Sequence, residues 1–309
     1  MFPKSFRTFA LIAVALAAAR AASSQTAAAP PPPTPAPGTV ASGAAPKTAG
    51  NAEWAKTVAD ARSRAAAERK LVFVEFDRDG CGPCRRMDAL LYPAFDFESL
   101  LIGMVPVKVM LDSDDGNALA ARYNVQETPS ILVTNPEGRL AFLMQGFKNA
   151  PDFYAHVRPD LDKYRAFAVR VDAQDVPRLS AQEAFQTGSE LFARFDYEGA
   201  RSRLKRASTA PDATPAMKAS ALRGLAAAEL QLGRPADARK TIEQAIAAAP
   251  DSDHKQQAEL FRAQIPLAEN KPDEALALYR RFAKEHPDSK YLDRVKTFID
   301  KLQAGGPPK

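Results

Sequence analysis

Apolar positions along this chain change their spacing twice. Between residues 51 and about 165, short apolar runs alternate with stretches of helical period. "AEWAKTVADARSRAAAERK" puts Trp54, Val58 and Ala61 on one helical face. "LVFVEF" (Leu71 to Phe76) is β-branched and aromatic, the pattern of a buried strand. A helix follows, which Pro93 bends or stops. "VPVKVMLD" and "SILVT" predict two further strands, "EGR" (Glu137 to Arg139) turns the chain into "LAFLM", and "APDFYAHVRPDLDKY" closes the unit as a helix. Strands alternating with helices predict an α/β layer structure.

From Ala181 the period is helical throughout, and it repeats. Ala200, Ala238 and Ala275 are 38 and then 37 residues apart. Each is followed four residues later by Leu204, Ile242 or Tyr279, then by Ala207, Ala245 or Phe282, and each copy ends in Pro-Asp. The preceding helix carries Gly188, Ala226 or Ala263, small residues that let two helices approach closely. Gly233 and Asn270 stand where a left-handed helix end is wanted, with Pro235 and Pro272 opening the next helix. This pattern resembles the tetratricopeptide repeat in three copies, with "YLDRVKTFIDKL" as a capping helix; an irregular helical bundle is the alternative. The resemblance implies a surface for a protein partner.

Before residue 51 neither period holds. "MFPKSFR" precedes an apolar run of 11 residues, Phe9 to Ala19, and then small residues, the order of a secretory signal peptide. The run is shorter than the about 20 residues a membrane-spanning helix needs, so an uncleaved anchor is the lesser reading. Residues 1–24 are expected to be this signal and 25–50, with "PPPPTPAP", a Pro/Ala-rich linker that cannot bury a core. Export, to a bacterial periplasm, would place thiols where disulfides persist. The net charge of +5 comes from Lys and Arg interleaved with acids, without the basic stripe of a nucleic-acid binder.

The chain has two cysteines, in "FDRDGCGPCRRMDALL". A structural zinc site wants four ligands; with one Cys-x-x-Cys and three scattered histidines, no metal is expected. A staple across two residues constrains little of the unfolded chain. A redox pair fits better. Cys81 follows a strand and opens a helix, where unpaired N–H groups and the helix dipole favour a thiolate. Cys84, one turn on, is placed to resolve a mixed disulfide, and Pro83 suits the first helical turn.

"CGPC" after a strand, within a βα pattern, resembles thioredoxin over residues 51–168, ahead of repeats at 178–303. That resemblance implies several roles. Cys81 would be the nucleophile and Cys84 the resolving thiol, with Gly82 and Pro83 between them at the substrate surface. Pro129 in "VQETPS" would be the cis-proline facing the cysteines, and Thr128 would offer its backbone to a substrate strand. Glu75, six residues before Cys81, would be the buried acid that moves a proton to or from Cys84, and Lys108 its partner. The plainer alternatives are a trans proline in an ordinary turn and an outward-facing Glu75–Lys108 pair. Gly80 stands where thioredoxins carry tryptophan. Asp77 and Asp79 would oppose a thiolate, while Arg78, Arg85 and Arg86 would favour it.

The expectation is therefore an exported thiol–disulfide oxidoreductase, a reductase by its Gly-Pro dipeptide, needing no cofactor beyond the Cys81–Cys84 pair. Its partners would be client proteins with disulfides or thiols, a membrane electron donor, and a protein held by the repeats. A scaffold that retains the fold without redox activity is the alternative.

Overall fold

The structure, a computed structural model, describes residues 53–93 and 95–305. The expected signal peptide and linker lie outside the described residues. Helix α1 (Val58–Glu68) begins later than its periodicity suggested, because Thr57 takes an extended backbone and its hydroxyl accepts the Asp60 N–H. The residues before it run alongside the sheet, Ala55 N–H donating to Pro106 C=O at 2.8 Å. Trp54 consequently packs on Phe73 and Tyr92, apart from the cluster that holds Val58 and Ala61.

Strand β1 (Leu71–Asp77), helices α2 (Gly82–Leu90) and α3 (Phe95–Leu101), strand β2 (Met104–Met110), helix α4 (Asp114–Tyr123), strands β3 (Ser130–Thr134) and β4 (Leu140–Gln145) and helix α5 (Ala150–Asp172) follow in order. The four strands form one sheet in the order β2-β1-β3-β4. β1 pairs parallel with β2 and antiparallel with β3, and β3 pairs antiparallel with β4. Both faces are covered, which is why β1 and β3 read as continuous apolar runs. One face buries Val72, Val74 and Phe76 against Ala61 and Ala65. The other buries Phe73, Ile131 and Val133 with Met87, Phe97 and Phe153. α2 ends before Pro93, as expected, whereas α5 runs through Pro159 and on to Asp172.

The rest is helical: α6 (Ala181–Ala193), α7 (Tyr197–Thr209), α8 (Pro215–Gln231), α9 (Pro235–Ala248), α10 (Ser252–Arg262), α11 (Ile265–Ala268), α12 (Pro272–Glu285) and α13 (Leu292–Gln303). The aligned residues form its core. Ala200, Ala238, Ala275, Ile242 and Tyr279 are each sealed from solvent. A Cβ on Gly188 would lie 2.9 Å from Leu204 Cγ, so α6 and α7 approach as closely as the small-residue pattern requires. Gly233 and Asn270 have φ of +71° and +59°. Phe195, at the same place in the first copy, has φ +62° without being glycine or asparagine. The first helix of the third copy is broken into α10 and α11 next to Pro266.

Helical and sheet regions share one apolar core, and their joint lies at the start of β4. Leu140 N–H donates to Arg194 C=O at 2.8 Å, and Arg139 bridges Asp172 and Asp196 at 3.1 and 2.9 Å. Phe195 packs on Tyr123, ring centroids 5.0 Å apart, and its carbonyl accepts from Arg122. Among the described residues no helix is long and apolar enough to cross a membrane.

Candidate active site

Cys81 is the N-cap of α2, and its sulfur accepts the Cys84 N–H at 3.1 Å. The two are joined as a disulfide with Cα atoms 5.3 Å apart. Both cysteines are buried, Cys81 keeping 7% of its surface exposed against 1% for Cys84, so Cys81 is the more accessible of the two. Gly82 and Pro83 occupy the exposed first turn, where a proline has no N–H left unpaired. Gly80 has φ +73° with nothing within 4 Å of a Cβ position. Its smallness answers to backbone conformation at the strand-to-helix turn rather than to a crowded neighbour.

The Thr128–Pro129 peptide is cis. Thr128 Oγ1–H donates to Cys81 Sγ at 3.5 Å, so this loop lies against the Cys81 sulfur through a side chain, where only a backbone role was anticipated. β3 begins immediately afterwards, Ser130 pairing with Phe76 near the end of β1 that leads to Cys81.

Glu75 points inward and is fully sealed, rather than facing out. Lys108, its register partner on β2, brings Nζ to 3.1 Å from Glu75 Oε1. Besides this ion pair, the Tyr92 hydroxyl turns toward the Glu75 carboxyl. Burial dominates: it pushes the Glu75 carboxyl up to about 7 against the pull of Lys108, with Asp88 pushing the same way. Tyr92, buried beside Glu75, is raised well above its ordinary range, first by burial and then by the Glu75 charge. Burial alone would lower Lys108, but Glu75 and Asp88 overcome it and push the ammonium up.

Two participants, Asp88 and Tyr92, were missed in the sequence, and a third, Asp77, was noticed there only for its charge. Asp88 reaches Lys108 at 3.0 Å, and Asp77 reaches it at 3.4 Å. Asp77 also places a carboxylate oxygen within 4.8 Å of both sulfurs. Asp88 had a signal, since it stands one helical turn after Cys84 and so shares its face. Tyr92 sits in the turn after α2, where no period applies. Of the arginines near the cysteines, Arg86 lies over the Phe147 ring, 5.4 Å from its centroid.

This constellation can do dithiol–disulfide chemistry: a slightly accessible cysteine at a helix start, a more deeply buried one a turn on, and on the preceding strand a buried carboxyl pushed up to about 7.

Residues 58–158 match the model of the thioredoxin-like domain, and residues 256–289 match a tetratricopeptide repeat model. A thioredoxin from Thermus thermophilus, solved in solution, is similar at 24% identity over 35% of this chain and 85% of that one, with a TM-score of 0.32. A DsbH oxidoreductase is similar at 19% identity over 40% of this chain and 94% of that one, also with a TM-score of 0.32. No curated protein matches the chain. The fold and its close cysteine pair support a function of the thiol–disulfide oxidoreductase type, and the repeat supports a binding role. Residues 58–158 are a thioredoxin-like domain, and residues 256–289 carry a tetratricopeptide repeat.

Proposed function

We propose that this chain is an exported protein-disulfide reductase whose helical repeats hold a protein partner. The observation that carries the reading is the asymmetry of the disulfide pair, Cys81 at the N-cap of α2 keeping 7% of its surface accessible and Cys84 only 1%. In the reduced protein the Cys81 thiolate attacks a client disulfide. One client sulfur leaves as a thiolate, and a Cys81–client mixed disulfide remains. Cys84 then loses its proton and attacks Cys81 Sγ. The second client thiolate leaves, and the Cys81–Cys84 disulfide forms. The client gains two electrons and two protons, and the dithiol loses them. Thr128 and Pro129 line the approach, and Glu75 serves as the buried proton carrier with Lys108 beside it.

The Gly-Pro dipeptide favours the reducing direction, with a potential expected near about −270 mV. In an oxidising compartment such a reductant needs recharging, so a membrane electron donor completes the cycle. Residues 1–24 would direct export to the periplasm. The test is a trap. Cys84→Ser leaves the mixed disulfide unresolved and is expected to accumulate covalent client adducts that dithiothreitol releases. Recovery of none, with wild-type protein unable to reduce insulin, overturns the reading and leaves a binding scaffold.

A further inference from the structure

β1 ends on two acids that share a face of the sheet, Glu75 and Asp77. They differ in access. The Glu75 side chain is 0% exposed and the Asp77 side chain 19%. Lys108 Nζ joins them at 3.1 and 3.4 Å. A carboxylate oxygen of Asp77 lies within 4.8 Å of both Cys81 Sγ and Cys84 Sγ, close enough to act through one water. The Arg78 N–H occupies one lone pair of Asp77 Oδ1 at 2.7 Å, and Lys108 occupies Oδ2, so acceptor capacity remains.

We propose that Asp77 is a second catalytic carboxylate, which takes the Cys84 proton and hands it to water. Proton transfer then runs over two acids joined by Lys108, and not over Glu75 alone. The proposal rests on the oxidoreductase reading above and assigns it a residue. In the resolving step the Cys84 S–H bond breaks, its proton passes to an Asp77 oxygen, and the Cys84 electron pair forms the bond to Cys81 Sγ. Breaking the Cys81–client bond releases a thiolate. Asp77 then loses the proton to solvent, which protonates that thiolate, so charge and protons balance. Glu75 cannot finish this transfer by itself, since no face of it meets water. It serves as the sealed store behind Lys108, and its elevated affinity for a proton fits that place. The charged and titratable groups facing Asp77 are Glu75 on β1, Lys108 on β2, Asp88 and the two cysteines of α2, and Tyr92 in the following turn.

Stopped-flow reaction of the reduced full chain with dithiobis(nitrobenzoate) separates the steps. The first thionitrobenzoate released reports Cys81, and the second reports Cys84. Asp77→Asn is expected to slow the second phase on the order of 10²-fold at neutral pH and leave the first unchanged. The second phase should recover toward the wild-type rate as pH passes about 8.5, where a thiol ionises unaided. That recovery distinguishes lost proton transfer from damaged folding. The proposal is overturned if Asp77→Asn resolves at the wild-type rate while Glu75→Gln alone is slow. It is equally overturned if Asp77→Asn stays slow at every pH. A wild-type protein that releases nothing in either phase removes the oxidoreductase reading itself.

Discussion

The Thr128 hydroxyl hydrogen-bonds the sulfur of Cys81 across 3.5 Å, tying the loop before β3 to the start of α2. In the reduced protein the same donor would face the Cys81 sulfur. Hydrogen bonds to charged groups are worth about 1.5–3 kcal/mol, and sulfur is a weak acceptor. Thr128→Val is therefore expected to slow iodoacetamide labelling of Cys81 about three- to tenfold at pH near 6.5. The gap should close at alkaline pH, where the thiol is ionised regardless. Equal rates at both pH values would deny the hydroxyl this role.

Glu75 makes stability depend on pH in an unusual direction. Its carboxyl ionises at about 7 in the folded protein against an ordinary 4.5, so the folded state holds this proton more tightly than the unfolded chain. The resulting stability is fully present below about pH 4.5 and is lost as pH rises through about 7. Urea titrations of the oxidised protein should show Glu75→Gln flat across this window, while the wild type falls on the order of 2–3 kcal/mol between pH 5 and 8. Parallel curves for both proteins would contradict the burial argument.

Gly188 fits against Leu204 because it has no Cβ. One placed there would meet Leu204 Cγ at 2.9 Å and its backbone nitrogen at 3.2 Å. Part of that obstruction is main chain, which cannot rotate away. Gly188→Val should therefore destabilise the helical region by about 1–3 kcal/mol despite the poor helix propensity of glycine. Thermal unfolding followed by circular dichroism measures the loss, and an unchanged melting temperature refutes it.

Arg139 is central to the polar contacts at the joint between sheet and helices. Its guanidinium, largely buried, reaches Asp172 on α5 and Asp196 before α7. Arg139→Met leaves two acids without their shared cation. Calorimetry is expected to show one cooperative transition in the wild type and two in the variant, as the halves stop unfolding together. A single transition in both would mean that the shared apolar core suffices.

Much of this was legible beforehand, for identifiable reasons. Buried strands such as Leu71–Asp77 announce themselves because both faces must be apolar, and the repeat is visible because Gly188, Ala226 and Ala263 each solve the same packing problem. Trp54 was misplaced because helical period continues by chance across Thr57, and only the cap hydrogen bond marks the true start. Pro266 breaks a helix that the repeat alignment treats as whole. The cysteines were found through their spacing, and Glu75 and Lys108 through resemblance. Asp77 was noticed only for its sign. Its neighbourhood depends on how a parallel strand registers Lys108 beside Glu75, and pairing across 33 residues leaves no local trace.

The placement of that joint sets a problem of reach. Leu140, bonded to Arg194, begins β4, while Gln145 at the other end of that strand lies beside Ser130 and the cis-proline loop. The first helices of the repeat region are therefore moored at the rim of the sheet remote from the sulfurs, roughly 20 Å away along a six-residue strand. A polypeptide held near this mooring would have to span at least that length for one of its disulfides to meet Cys81. A disulfide lying closer than that to the gripped segment would be out of range.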